Sequence, residues 1–262
     1  MNQQRHIVTK KRAAQSCTCL PGHAEDSGAA LVVVVGLLMV VLILGSMFPS
    51  LVAFESLAAR KFHASNRAYC AARAGMETAI AKITADTNGF DTKSEKWRYD
   101  TAPYEATLSP EESFEMLCVG AEECLGAGGA AQKMPESLLQ RVRRVYSNTA
   151  AAINVNLAPE TVLTSIIPES GLDKALRQRV VSGKGCWGDF KSREAFIAFA
   201  EKRFGEAGLA RLRSRCDIVS AYRAVHVVGK VNGQRQNVDT YRISAIIEGC
   251  GDKTRIVYWK EQ

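Results

Sequence analysis

The side chains that could carry chemistry are few in this sequence and do not converge. Its four histidines are His6, His23, His63 and His226, the first two within the opening 28 residues. No Ser-His-Asp order, Cys-x-x-Cys pair or His-x-x-x-His spacing accompanies them, so the residues for nucleophilic catalysis or for a zinc site are not in place. His63 on a helix and His226 in a strand read as surface or partly buried residues, and the expectation is a protein that is not an enzyme. Gly126-Ala127-Gly128-Gly129 could cradle a phosphate, but no apolar strand leads into it and no Gly-Lys-Ser/Thr follows, so it reads as a loop. Asp239, Glu248 and Asp252 are scattered solvated acids rather than an Asp-rich calcium loop. Of eight cysteines, Cys17 and Cys19 come early, and Cys70, Cys118, Cys124, Cys186, Cys216 and Cys250 follow. Cys118 with Cys124 is the nearest candidate for a disulfide, closing a short loop; free buried thiols are the alternative.

Charge narrows the partners. The 262 residues hold 34 basic and 27 acidic side chains, a formal +7. Arg5, Lys10, Lys11 and Arg12 against Glu25 and Asp26 place +2 before residue 29, leaving +5 over the rest. So thin a surplus lacks the clustering of a nucleic-acid face. With 47% apolar residues, 20 Gly and only 7 Pro, collagenous and Pro-rich classes are excluded and one or two compact domains are expected.

The elements that position these residues begin with an apolar block. Residues 29–54 contain no charge and are bounded by Asp26 and Glu55. At ~1.5 Å per residue they make a helix of ~39 Å, enough to cross a hydrocarbon core of ~30 Å. The block is too long for a cleavable secretory signal, whose apolar run is about 7–15 residues. Mean hydropathy of the whole chain is only −0.09, so this is a single-pass anchor on a soluble body. Lys10, Lys11 and Arg12 set the N-terminus on the cytoplasmic side. Residues 57–85 continue as good helix formers, and Met76, Ile80 and Ile83 make one apolar stripe, so one helix is expected over 29–85, kinked near Pro49.

A helix apolar in its first half and amphipathic in its second, after a leader that ends Asp26-Ser27-Gly28, resembles the type IV pilin and type II secretion pseudopilin superfamily. The resemblance implies cleavage by a prepilin peptidase between Gly28 and Ala29. Most members carry Glu at the fifth mature position; here it is Val33, which is a feature of the K-type minor pseudopilin at the pseudopilus tip. An unpartnered carboxylate in a bilayer is costly, so a subunit with nothing above to receive it does better with Val. The resemblance allows Ca²⁺ binding, but the sequence offers no ligand set.

In the body, periodicity over 86–149 is poor. A strand is expected within 97–104, a helix start at Ser109-Pro110-Glu111-Glu112 with acids in its first turn, and loop or linker over 120–131. A short strand ending at Asn156 precedes Pro159 in the first turn of a helix bearing Val162, Leu163, Ile166 and Ile167. A second helix would bury Leu172, Ala175, Leu176 and Val180, and Ser192 would cap a third bearing Phe196, Ile197, Phe199 and Phe204. This unit resembles the inserted helical domain of K-type minor pseudopilins, with its Asn154-x-Asn156-x-Ala158 start. It also resembles the helix-hairpin-helix module of competence DNA receptors. The hairpin Pro168-Glu169-Ser170-Gly171-Leu172 has one Gly and an added carboxylate that repels phosphate, so structural use is favoured.

Two strands flank Asn232-Gly233, over 225–231 and 236–247, and a third covers 254–260. Tyr241, Ile243, Ala245 and Ile247 alternate, one face toward a core. The expected fold class is α+β: a pilin-like long N-terminal helix on an antiparallel sheet, with an inserted helical, helix-hairpin-helix-like domain. The expected divisions are leader 1–28, helix 29–85, first pilin-like part 86–150, inserted helical domain 151–215 and C-terminal strands 216–262. The resemblance implies a minor pseudopilin of the bacterial inner membrane with its body in the periplasm. Its implied partners are minor pseudopilins I and J, the major pseudopilin, the prepilin peptidase and membrane lipid. A membrane-anchored helix-hairpin-helix DNA-binding protein or a minor type IV pilin is the alternative.

Overall fold

A computed structural model of the chain describes residues 26–126, 128–166, 189–232, 238–249 and 251–262. Contacts divide it into two units, Met1–Ala58 and Ala59–Gln262. Helix α1 (Asp26–Thr84) starts three residues before the expected 29, ends one before the expected 85 and runs through Pro49 without a break. In the first unit its large apolar side chains, from Leu31 to Phe54, are all exposed. A window of mean hydropathy 3.0 makes it long and apolar enough to cross a membrane.

The second unit is built on a five-stranded antiparallel sheet. Its strands are β1 (Tyr99–Ser109), β2 (Glu112–Gly120), β5 (Tyr222–Asn232), β6 (Val238–Glu248) and β7 (Arg255–Glu261), in spatial order β1-β2-β5-β6-β7. The end of α1 lies on one face. Ala72, Met76, Ala79 and Ile83 bury against Phe114 and Met116 of β2, Val225 and Val227 of β5, and Ile243, Ala245 and Ile247 of β6. The expected stripe and the expected alternation in β6 therefore meet each other. Two glycines allow the contact: a Cβ on Gly75 would lie 2.6 Å from Val227 and 2.7 Å from Phe114, and one on Gly229 would strike the backbone at Ala68 and Ala72.

The opposite face is covered too, where only one buried face was expected. Val119, Ala224 and Ile246 pack against Leu138, Leu139 and Val142 of helix α2 (Glu136–Thr149) and against Ala121 and Cys124. The stretch read as loop or linker instead forms two 3-10 turns, Ala121–Leu125 and Gly129–Lys133, the first of them buried. Its Gly and Ala content removes the apolar periodicity, yet Ala121, Cys124 and Ala131 are buried in the same cluster as Val119, Ala224 and Ile246 of the sheet. The expected helix start at Ser109 is corrected likewise: Ser109 and Glu112 pair across the tight turn joining β1 to β2. The Ser109 Oγ accepts from the Glu111 and Glu112 amides at 3.4 and 3.1 Å. A hydroxyl that accepts backbone N–H groups serves a turn as well as a helix cap, and the two share one local signature. Arg67 of α1 then donates to Glu111 and Glu112 at 2.9 and 2.6 Å.

The β5–β6 hairpin closes at Asn232 with Val238, so five residues separate the paired ends and β6 begins later than the expected 236. Gly233 lies outside the described residues. Ala150, just past α2, sits at φ 49°, the left-handed region in which a Cβ is strained. Ala150→Gly is expected to stabilise the detergent-solubilised chain by about 0.5–1 kcal/mol, read as a rise in its thermal midpoint.

Between β2 and β5 in sequence stands a helical region. Strand β3 (Ile153–Asn154) ends two residues before the expected Asn156 and pairs in parallel with β4 (Cys216–Asp217). Helix α3 (Glu160–Ile166) follows Pro159, and helix α4 (Arg193–Arg215) is capped by Ser192, whose side chain accepts from the Ala195 amide at 3.1 Å. Val155, Leu163, Phe190, Phe196, Leu209, Leu212 and Cys216 form its core. The second expected helix and the hairpin at 168–172 lie outside the described residues.

Candidate functional site

Among the described residues, two places hold features beyond ordinary packing. The first is the start of α1. Gly28, Ala29 and Val33 all lie on its exposed surface, and nothing stands within 4 Å of a Cβ built on Gly28. Both residues of the Gly28–Ala29 bond are therefore exposed. Position 33 presents an aliphatic side chain to whatever surrounds the apolar half.

The second is a polar knot where the helical region leaves and rejoins the sheet. The Asp91 carboxylate accepts from one Arg223 nitrogen, Nη2, at 2.9 and 2.8 Å, and its Oδ2 also accepts from the Ser220 amide at 2.6 Å. Arg223 is fully buried, donates to the Gly249 carbonyl at 2.6 Å and lies 4.9 Å from the centre of the Trp97 ring. The Asp91 carbonyl accepts from Asn154 Nδ2 at 3.1 Å and Asn156 Nδ2 at 3.0 Å. Asn156 also holds both polar groups of the Phe190 backbone, at 3.0 Å each. The Asn-x-Asn pattern read from the sequence therefore has a physical role. Two side-chain amides replace ladder partners that such irregular backbone lacks.

Glu122 and Glu123 complete the knot. Glu123 accepts from Arg98 Nε and Nη2 at 3.0 and 2.6 Å and from the Gly120 amide at 3.1 Å. Glu122 makes no ion pair among the described residues; Ser220 Oγ and Tyr146 OH (2.8 Å) donate to it. Burial raises its carboxyl to about 7, against the opposing pull of the Ser220 hydroxyl, its own backbone amide and the Tyr146 hydroxyl. Burial and the neighbouring Asp91 raise Asp86 to about 6. Sequence reasoning missed Asp86, Asp91, Glu122, Ser220 and Arg223. The available signal was Arg223 set among the apolar residues of β5, a charge that must find a buried partner.

The remaining candidates are not brought together. Cys118 and Cys124 are free buried thiols, the second of the two alternatives the sequence left open, and the candidate disulfide is not formed. Cys118 faces α1 and Cys124 packs with α2 on the other side of the sheet, and burial pushes Cys118 up to about 12 and Cys124 higher still. Cys186 and Cys250 lie outside the described residues. His63 is exposed, whereas His226 is buried with Nδ1 3.0 Å from Ser244 Oγ. Burial first, then Arg242, lowers His226 to about 4, so the pair is a neutral cross-strand hydrogen bond. Asp239 and Glu248 stand at opposite ends of β6, Glu248 paired with Arg255, and Asp252 is in the turn after it. Among the described residues no three His, Cys, Asp or Glu side chains are grouped to hold a metal ion. Comparison with protein-family models, with curated proteins and with solved structures finds no match to this chain.

Proposed function

We propose that the protein is a K-type minor pseudopilin of the type II secretion system, an assembly protein that starts or caps the pseudopilus tip. The observation that supports this most is α1: one helix is apolar and exposed in its first part and buried against an antiparallel sheet in its last. Gly28 precedes the apolar run, and Val33 stands where other pseudopilins carry Glu. In this reading the prepilin peptidase cuts between Gly28 and Ala29, α1 anchors in the bacterial inner membrane, and the body lies in the periplasm. The helical region is the inserted domain that blocks addition of a subunit above it. Minor pseudopilins I and J and the major pseudopilin are its partners, and nucleic acid is not.

Full-length chain co-expressed with the prepilin peptidase is expected to lose residues 1–28 by intact mass and to co-purify in detergent with both I and J. Retention of the leader together with no association would overturn the proposal. Salt-sensitive binding of duplex DNA would favour the competence-type reading instead.

A further inference from the structure

Both chain crossings of the helical region pass through one small volume. The incoming segment supplies Asn154, the outgoing one supplies Cys216, Ile218 and Ser220, and the two are joined by the β3–β4 pair, by the Val155 amide to the Asp217 carbonyl (3.0 Å), and by Asn154 Nδ2 to Ser220 Oγ (3.3 Å). Ser220 Oγ donates onward to Glu122, which sits on the sheet side of this neck. A Cβ on Gly120 would lie 2.9 Å from the Glu122 carboxylate and 3.0 Å from Ser220 Oγ, so even the backbone is drawn close around the contact.

The charges there do not balance pair by pair. Arg98 engages both Glu123 oxygens and Arg223 both Asp91 oxygens, whereas Glu122 is met by two hydroxyls and its own backbone amide, with no cation among the described residues. Around it stand Glu123 beside it in the chain, Tyr146 from α2 and Ser220 from the neck; Tyr222 of β5 lies against Tyr146, and Asp91, Arg223 and Asp86 follow behind Ser220. Of this set, Glu122 is the fully buried carboxylate with no cation bonded to it among the described residues.

The geometry points to Glu122 as a proton-operated clasp on the neck of the helical region, closed when the carboxyl is protonated and loosened when it is ionised. In the neutral acid one hydroxyl still donates to the carbonyl oxygen while the other turns to accept the carboxyl proton, so the neck stays bridged without a buried charge, and opening it admits water to the carboxylate. The sign follows from linkage. A carboxyl raised in the closed state, from 4.5 to about 7, favours closure at low pH, and that advantage is lost as pH rises toward 7.

Cys216 is a built-in reporter, a buried thiol on the neck itself, and exposed Cys70 is an internal standard for reagent and thiolate chemistry. Maleimide labelling of the full chain in detergent, resolved by peptide mass, is expected to show the Cys216 to Cys70 ratio rising about tenfold from pH 6 to 8. Cys118, inside the sheet core, should stay protected. In Glu122→Gln the ratio should stay flat. An unchanged ratio in the wild type, the same rise in the Gln variant, or Cys118 labelled in step with Cys216 would each overturn the clasp. Should the Gln variant not fold, Tyr146→Phe removes one donor to the carboxylate and should move the rise to higher pH; an unmoved rise would also overturn it.

Discussion

Gly229→Ala is expected to detach α1 from the sheet and lower the stability of the body by about 3 kcal/mol or more, the upper end of overpacking costs. The new methyl would occupy the space of the Ala68 carbonyl and the Ala72 amide and lie 3.0 Å from the Ala72 Cα. These are helix backbone atoms, already fixed by their own hydrogen bonds, so no side chain can swing aside. The helix must rise from β5, and every contact of Met76, Ala79 and Ile83 with the sheet is stretched. Gly75→Ala is milder, about 1–3 kcal/mol, because it meets side chains of Val227 and Phe114 that can partly adjust. Gly28→Ala, with open space around it, leaves the body's unfolding unchanged. Chemical denaturation of the three variants in the same detergent orders them; equal midpoints for Gly229→Ala and Gly28→Ala would refute the close approach.

Arg223→Leu is expected to cost about 3–5 kcal/mol, because it strands Asp91 as a buried, unpaired carboxylate. The double variant Asp91→Leu with Arg223→Leu should recover part of that loss, since a paired charge exchanged for apolar groups leaves less unsatisfied. Arg223→Lys should not rescue. One ammonium cannot reach the Asp91 carboxylate and the Gly249 carbonyl while also lying against Trp97. The exposed Arg73–Glu77 pair on α1 provides the contrast, and its removal should change stability by less than about 0.5 kcal/mol. Thermal unfolding of these variants measures the difference, and a single Arg223→Leu no worse than the double would show that Asp91 is not stranded.

How much could be read beforehand differs by element, and the reason is the range of the interaction. The apolar half of α1, its stripe of Met76, Ile80 and Ile83, and the alternation of Tyr241, Ile243, Ala245 and Ile247 are periodic, and each period reports a face that needs burial. Ser192 capping α4 and Pro159 before α3 were legible because a cap is satisfied within one turn of chain. Failures fell where one local pattern serves two structures. Ser109 followed by two glutamates caps a helix or closes a hairpin equally well, and only pairing with β5 chose the hairpin. The Gly- and Ala-rich 120–131 stretch has no period to read, yet it packs on the sheet.

Legible in the residues alone were a long helix, apolar first and amphipathic after, and a strand-rich C-terminal segment. Those follow from composition and from periods of 3.6 and 2. Only the tertiary structure decided that both faces of the sheet are covered, that Cys118 and Cys124 lie on opposite sides of it, and that Asp91, Glu122, Ser220 and Arg223 meet. Asp91 and Arg223 are separated by 132 positions in the chain and lie 2.8 Å apart in space. A buried charge announces that it needs a partner, but which partner depends on strand order and register, and no local pattern encodes those.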